Sequence, residues 1–302
     1  YNTGIPVGTR TNLYAEMYRK QPVTQFEGLD PDGTVLVIGS ACLDIIGRLK
    51  DDLRHKESNP ALIRATFGGV ARNVAENLAR LGQPATLLTA VGQDQVGDRL
   101  IQQTASAGVN VEAVLRTADH PTSTYLGILN LNGQLEVALD DMRAISALTA
   151  ASLRARADLF RQAAVVFVDG NLSREALRTA ISLAGKFRRP ICADPASASL
   201  APRLKPYLGS LALFTPNGRE AGILCECDFR ESNRRQAVQI AKQLVSQGVG
   251  IAIVTLAEYG VSYATSETSG YVPAVRTKVA DPTGAGDALT ATVIFALLNE
   301  IP

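Results

Sequence analysis

Short, unbroken apolar runs recur along the chain, and nothing else in the sequence restricts its fold so strongly. Val35-Leu36-Val37-Ile38 comes first; Thr86 to Val91, Val165 to Val168, Ile191 to Ala193, Leu211 to Phe214 and Ile251 to Thr255 repeat the pattern. A strand with one wet face alternates apolar and polar residues, so a run that does not alternate is buried on both faces. Both faces are buried together when a sheet is parallel and helices cover each side. Helical periodicity fills the intervals, around residues 70–81, 94–107, 149–162, 173–185 and 232–247. The expected fold is therefore α/β: a three-layer αβα, doubly wound, mostly parallel sheet. With 302 residues, 46% of them hydrophobic, the chain can build one large domain or two smaller ones.

Two segments break the alternation. Residues 44–67 are turn-rich and amphipathic. Within about 122–142, Tyr125 to Leu129 and Leu135 to Leu139 flank Asn132-Gly133, a hairpin-turn dipeptide. Together they read either as a small sheet standing off the main one, a candidate lid, or as plain hairpin decoration. Residues 1–33 are polar, punctuated by Pro22, Gly28, Pro31 and Gly33, and read as an arm or linker before a folded domain at 34–302. Lys and Arg number 30 against 29 Asp and Glu, a net charge of +1, which offers no electrostatic footprint for nucleic acid or a membrane surface. No apolar run reaches the 18 or so residues of a transmembrane helix. Cys42, Cys192, Cys225 and Cys227 are too scattered for a disulfide framework, and only His55 and His120 could join them in a zinc site. Unpaired cysteines suit a reducing compartment, the cytoplasm or an organelle interior.

Open α/β sheets bind ligands beyond the carboxyl ends of their strands, and the chemistry-bearing residues gather there. Asp44 follows the first apolar run and can accept two sugar hydroxyls or cap a turn. Gly68-Gly69 precede a helix on which Val70, Val74, Leu78 and Leu81 form an apolar stripe. Arg72, Glu76 and Arg80 fall opposite at i,i+4 spacing, as a solvated ladder. Asn77 interrupts the stripe with Asn73 at its edge; a buried amide needs a fixed partner, either a neighbouring loop or a polar ligand. Gly284-Ala285-Gly286 lead into the helix-compatible run Ala288 to Leu298, and unpaired N–H groups with a positive dipole end hold an anion. Asp287, in the first turn, either steadies the dipole or acts as a base beside that anion, the arrangement phosphoryl transfer to a hydroxyl needs. A helix N-terminus lowers a carboxyl pKa, so Asp287 is expected below its ordinary value of about 4.

Taken in order, Asp44, Gly68-Gly69-x-x-x-Asn73, Thr215-Pro216-Asn217-Gly218-Arg219-Glu220, Val254 to Gly260, and Asp281-Pro282-Thr283-Gly284-Ala285-Gly286-Asp287 resemble the signatures of the ribokinase-like (PfkB) carbohydrate kinases. The resemblance runs from about Val35 onward. It implies ATP-dependent transfer to a hydroxyl, with Asp287 taking the proton and the Gly284–Asp287 turn, through the N–H groups of Ala285, Gly286 and Asp287, holding the transferring phosphoryl. Asp44, Gly68, Gly69 and Asn73 would hold sugar hydroxyls. Asn217, Glu220, Thr255, Gly260 and Thr283 would line the nucleotide, Glu220 holding Mg2+ through water, and K+ would activate. Ala257 stands where many relatives have glycine, an expectation of altered loop geometry. Relatives ordinarily continue past position 302 with helices that complete the adenine pocket, so those helices are expected to be missing here.

The connecting stretches resemble one branch of the family, the kinases that phosphorylate pseudouridine. Ser58-Asn59-Pro60, Thr122 to Leu126, Val137 to Met142, Asp169 to Ser173 and Asp194 to Ser197 carry that likeness. It implies transfer to the 5′-hydroxyl of pseudouridine, with Asn59, Thr124 and Asp141 near the uracil and a lid that excludes water. It allows a homodimer through the lid and pseudouridine-5′-phosphate glycosidase as a fused or partner enzyme. Two other readings stay open: a kinase for another nucleoside, ribose or fructose, or a non-catalytic nucleoside-binding relative. The intact Gly284–Asp287 stretch argues against the last, since a binder has no need of an aligned base.

Overall fold

The computed structural model describes residues 25–275 and 283–301. Most of the amino-terminal arm and motif residues up to Pro282, Asp281 among them, lie outside the described residues. Chain order begins β1 (Val35–Ile38), β2 (Cys42–Leu49), β3 (Ala61–Gly68), α1 (Val70–Arg80), β4 (Ala85–Leu88), β5 (Ala90–Gly92), α2 (Gln95–Ser106) and β6 (Leu115–Thr117). A hairpin, β7 (Thr124–Leu129) and β8 (Leu135–Asp141), leads to the short helices α3 (Ala150–Arg154) and α4 (Ala157–Gln162). Strand and helix then alternate through β9 (Val165–Asp169), α5 (Arg174–Lys186), β10 (Ile191–Asp194), β11 (Leu213–Phe214), α6 (Gly218–Leu224), α7 (Arg234–Ser246) and β12 (Ile251–Thr255). The meander β13 (Val261–Ala264) and β14 (Ser269–Val272) precedes α8 (Ala285–Leu298).

The main sheet has the order β14-β13-β12-β11-β10-β9-β1-β4, parallel from β12 to β4 and antiparallel at β13 and β14. Val35 pairs with Ala85 on one side and Val165 on the other, so the winding direction reverses at β1 and β9. That reversal opens a crevice at the carboxyl edge, where such sheets bind ligands. The unbroken apolar runs are buried on both faces, as expected. Leu36 and Ile38 pack into one core with α5 and α7, while Val35 and Val37 pack into the other with α1 and α8.

Two expectations are corrected, and the reading of residues 44–67 with the hairpin as a small separate sheet is borne out, with more regular strands than their turn-rich sequence suggests. The run from Thr86 to Val91 is two strands: β4 stays in the main sheet and β5 leaves at Thr89 to pair with β6. The helical pattern at 149–162 is broken into α3 and α4. Residues 44–67, read as turn-rich, contain most of two eight-residue strands, paired antiparallel from Cys42 opposite Gly68 to Leu49 opposite Ala61. Their alternation was hidden because β3 is exposed on both faces: Leu62 is 61% exposed and Ile63 70%. These strands and the β7–β8 hairpin form a second sheet in the order β3-β2-β7-β8. The hairpin turn is wider than a two-residue turn, with the Asn130 side-chain oxygen accepting from the N–H groups of Asn132 and Gln134, both at 3.0 Å. No helix among the described residues is long and apolar enough to cross a membrane.

Candidate active site

The wall nearest β2 and β3 is built by close approach. A Cβ on Gly68 would sit 1.9 Å from Oδ2 of Asp44, so only glycine lets that carboxyl lie against β3. Gly69 has φ +95°, and a Cβ there would meet the Ser40 carbonyl oxygen at 2.6 Å. The tight crossing sets the start of α1, whose first amides are tied to the sheet edge. Val70 N–H donates to Ser40 Oγ (3.0 Å) and Ala71 N–H to Asp169 Oδ2 (3.2 Å). Ser40 donates its own N–H and hydroxyl to the same Asp169 oxygen, each at 2.7 Å. Asn73 follows one turn into the helix.

The opposite wall is the start of α8. Gly284 caps it in the left-handed conformation (φ 76°), and its carbonyl accepts from Ala288 N–H at 2.9 Å. The first amides of the helix therefore point outward without an intrahelical partner. A Cβ on Gly286 would have nothing within 4 Å, so the missing side chain serves no packing contact and leaves open space. Thr290 donates to Thr215 Oγ1 at 2.8 Å, fixing α8 against the end of β11. The two walls meet where Asn73 Nδ2 donates to Asp287 Oδ2 at 2.8 Å. Between them lies a cavity of about 430 Å³, bounded by Asp44, Thr66, Phe67, Gly68, Asn73 and Asn77 on one side and by Thr283, Gly284, Ala285 and Ala288 on the other. That is the size of a small-molecule site.

Carboxyl groups crowd this edge. Burial pushes the Asp287 carboxyl up to about 6; the like charges of Asp169 and Asp44 add to the rise, and the Asn73 hydrogen bond opposes it. The expected lowering by the helix N-terminus is overturned because burial outweighs the dipole. Burial also raises Asp44, Asp169 and Glu220, and Asp194 is held well above its ordinary value by burial and then by the charges of Glu220 and Asp287. Among the described residues no group of three or more His, Cys, Asp or Glu side chains converges to hold a metal ion directly.

A buried carboxyl in the first turn of an open helix N-terminus, hydrogen-bonded to a residue that lines a polar cavity, suits phosphoryl transfer, and comparison with known proteins agrees. A family model described as the pfkB family carbohydrate kinase matches residues 32–302. The chain belongs to that family. Pseudouridine kinase of Escherichia coli (strain K12) is 35% identical over 269 residues, covering 89% of this chain and 85% of its own. Guanosine-inosine kinase of Exiguobacterium acetylicum is 30% identical over 268 residues, covering 88% of each. The structure of ribokinase from Giardia lamblia matches with a TM-score of 0.79 at 17% identity, covering 89% of this chain and 83% of that one, which shows the ribokinase-like fold. The chain is thus a phosphotransferase that acts on a hydroxyl group of a nucleoside or sugar.

The remaining sequence candidates of this kinase divide in two. Asn217 and Glu220 form a capping box at the start of α6: Glu220 Oε2 accepts Asn217 N–H at 2.8 Å and Asn217 Oδ1 accepts Glu220 N–H at 2.9 Å. Thr255 bridges to Asn217 at the end of β12, and Gly260 closes the next turn at φ 107°. Ala257 lies in that turn with φ +49°, a left-handed conformation that glycine takes more readily. Asn59, Thr124 and Asp141 do not line the cavity. The Asn59 amide closes its own loop, accepting from Arg54 N–H (2.8 Å) and donating to the carbonyls of Arg54 (2.9 Å) and Glu57 (3.0 Å). Asp141 is paired with Arg143 at 2.6 Å, which holds its carboxyl down at about 2, and Thr124 donates to Thr122 O.

The solvated ladder on α1 is a further correction. Arg72 is 4% exposed and lines the cavity with Glu76, because β3 and α2 cover that side of the helix. Asn77 turns to the cavity while its amide donates to the Asn73 carbonyl at 2.8 Å. Asp169 and Asp194 were marked in the sequence only by the resemblance of their stretches, with no role given to either, and by their place at the ends of β9 and β10.

Proposed function

We propose that this kinase transfers the γ-phosphoryl of ATP to the 5′-hydroxyl of pseudouridine. The observation that carries the reading is the joint between the two walls, where Asp287 is hydrogen-bonded to Asn73, which lines the cavity with Asp44 and Gly68. Asp44 accepts ribose hydroxyls, and the Gly68–Gly69 backbone lets the sugar lie against it. The N–H groups of Ala285, Gly286 and Asp287 cradle the phosphoryl oxygens in the space left at Gly286. Asn73 occupies Oδ2 of Asp287, so the hydroxyl proton goes to Oδ1 as the new P–O bond forms. With a pKa of about 6 the carboxylate is ionised at neutral pH yet more basic than an exposed one.

Mg2+ fits the acid-rich edge, where burial raises Asp194 and Glu220, Glu220 adds to the rise at Asp194, and Asp287 adds to both. No direct cage is present among the described residues, which suits an ion that keeps its waters. Bound there, it would neutralise charge on the phosphates. Asn217, Thr255, Gly260 and Thr283 flank the nucleotide. The β3-β2-β7-β8 sheet acts as a lid, bringing Asn59, Thr124 and Asp141 toward the base on closure. By the same reading K+ raises turnover, the lid sheet pairs two copies, and pseudouridine-5′-phosphate glycosidase acts on the same nucleotide in the cytoplasm.

ADP release measured with pseudouridine, uridine, guanosine, ribose and fructose tests this, with pseudouridine expected to give the highest kcat/KM. A preference for guanosine, the outcome favoured by the guanosine-inosine kinase relative, would move the substrate to another nucleoside. A preference for ribose or fructose would overturn the nucleoside reading. Saturable binding without ADP would leave a binding protein.

A further inference from the structure

We propose that Arg72 is a positioning residue for catalysis: its guanidinium decides which way round the Asn73 amide sits, and so which atom of that amide meets Asp287. The proposal rests on the reading of Asp287 as the base. A carboxamide has an acceptor and a donor of nearly the same shape, and a half-turn exchanges them. Here Asn73 Nδ2 donates to Asp287 Oδ2 at 2.8 Å, and Asn73 Oδ1 accepts from Arg72 Nη1 at 3.2 Å. A guanidinium only donates and an ionised carboxylate only accepts, so the amide between them has one satisfied orientation. Without the guanidinium only the carboxylate still favours this orientation, and the amide, with its oxygen unpartnered, is free to turn away from Asp287.

Arg72 is itself held by hydrogen bonds at Nη1 and Nε and by an ion pair, without hydrogen-bond geometry, at Nη2. Nη1 also donates to Phe67 O at 3.0 Å, Nε donates to Thr104 Oγ1 at 3.2 Å, and Thr104 donates on to Leu100 O at 2.7 Å. Nη2 pairs with Glu76 one turn later, the two side chains only 5% and 13% exposed. Glu76 is anchored from the surface by Arg80. This line of contacts runs from solvent through Arg80, Glu76, Arg72 and Asn73 to the base. A buried ion pair is weak ground for stability, since apolar residues of similar volume commonly serve as well or better. Its use here is orientation. Among the described residues the charges that raise Asp287 are carboxylates, Asp169 at the end of β9 and Asp44 on β2, and Asp287 in turn raises Asp194 at the end of β10 and Glu220 on α6. The Asn73 donor opposes their effect, and Arg72 keeps it in place.

A double-mutant cycle tests the assignment. Arg72→Met alone strands the Glu76 carboxylate, so R72M/E76L, which removes both charges, is measured beside it. Expected is a kcat loss of about tenfold with a smaller change in KM, in the range of couplings within one hydrogen-bonded network. The acid limb of the kcat–pH profile should move upward. In an Asn73→Ala background the same change should cost less than about twofold. Equal, additive losses in both backgrounds, or an unchanged kcat, overturn the proposal. Asp287→Asn separates the two ideas. If it keeps near-normal kcat, the base reading itself fails; if it loses kcat while the cycle is additive, Arg72 alone is wrongly assigned.

Discussion

Asp287→Asn should cost the kinase its turnover and make it more stable. The carboxyl rises from an ordinary 3.8 to about 6, mainly through burial. Holding the ionised form in the fold at neutral pH therefore costs about 3 kcal/mol relative to the unfolded chain. Because the folded pKa is the higher one, this group's favourable contribution is complete below about 4 and is lost as pH rises through about 6. An Asn side chain carries no charge, and its oxygen can still accept from Asn73 Nδ2. The variant should gain about 1–3 kcal/mol at pH 7.5, a Tm rise of a few degrees for a chain this size. At pH 4 the two proteins should melt together. Losing the Asp287 charge also relieves Asp194 and Glu220, which it raises, so that relief adds to the gain at pH 7.5. In an ADP-release assay kcat should fall by about 10²-fold or more. A Tm difference of equal size at pH 4 and pH 7.5 would refute the electrostatic argument, and near-normal turnover would refute the role.

Gly68→Ala would place a methyl 1.9 Å from Oδ2 of Asp44; displacing that carboxyl should raise the nucleoside KM by about tenfold or more, read in initial-rate kinetics. Gly286→Ala adds a methyl with no protein neighbour and a better helix former, so Tm should hold or rise while the KM for ATP increases or kcat falls. Lost stability with unchanged ATP kinetics would count against the phosphate cradle. Ala257→Gly should relieve the left-handed strain at φ +49° and stabilise by up to about 1 kcal/mol by denaturant titration, Gly's own entropy cost offsetting part of the gain.

Much of the main sheet was legible because its strands have no wet face. Val35 to Ile38 and Val165 to Val168 are buried residue for residue, so composition alone marks them. Strand β3 of the second sheet was not, because residues 62–66 are all exposed and no face is consistently apolar. The close approaches at Gly68 and Gly69, the left-handed cap at Gly284 and the open space at Gly286 were legible because backbone shape and space are written in residue type. Arg72 was misplaced by a correct helical wheel: it does lie opposite Val74 and Leu78, but Phe67 and Thr104 cover that side. The high pKa of Asp287 depends on burial and on carboxyls from β2 and β9, which no local pattern records. Asn59 and Asp141 were drawn toward the base by resemblance, while nearby loop atoms use their polar groups in this structure.

The hydrogen bond between Asn73 and Asp287 joins residues 214 positions apart. At the usual pace of synthesis, on the order of 5–20 residues per second, roughly 10–40 s separate the making of the sugar-side wall from the arrival of its base. Until then an incomplete chain has Asp44 and Asn73 but no group to take the hydroxyl's proton. If Asp287 is the base, as proposed, the kinase is chemically silent while it is being made, and its ability to transfer phosphate begins only when α8 docks.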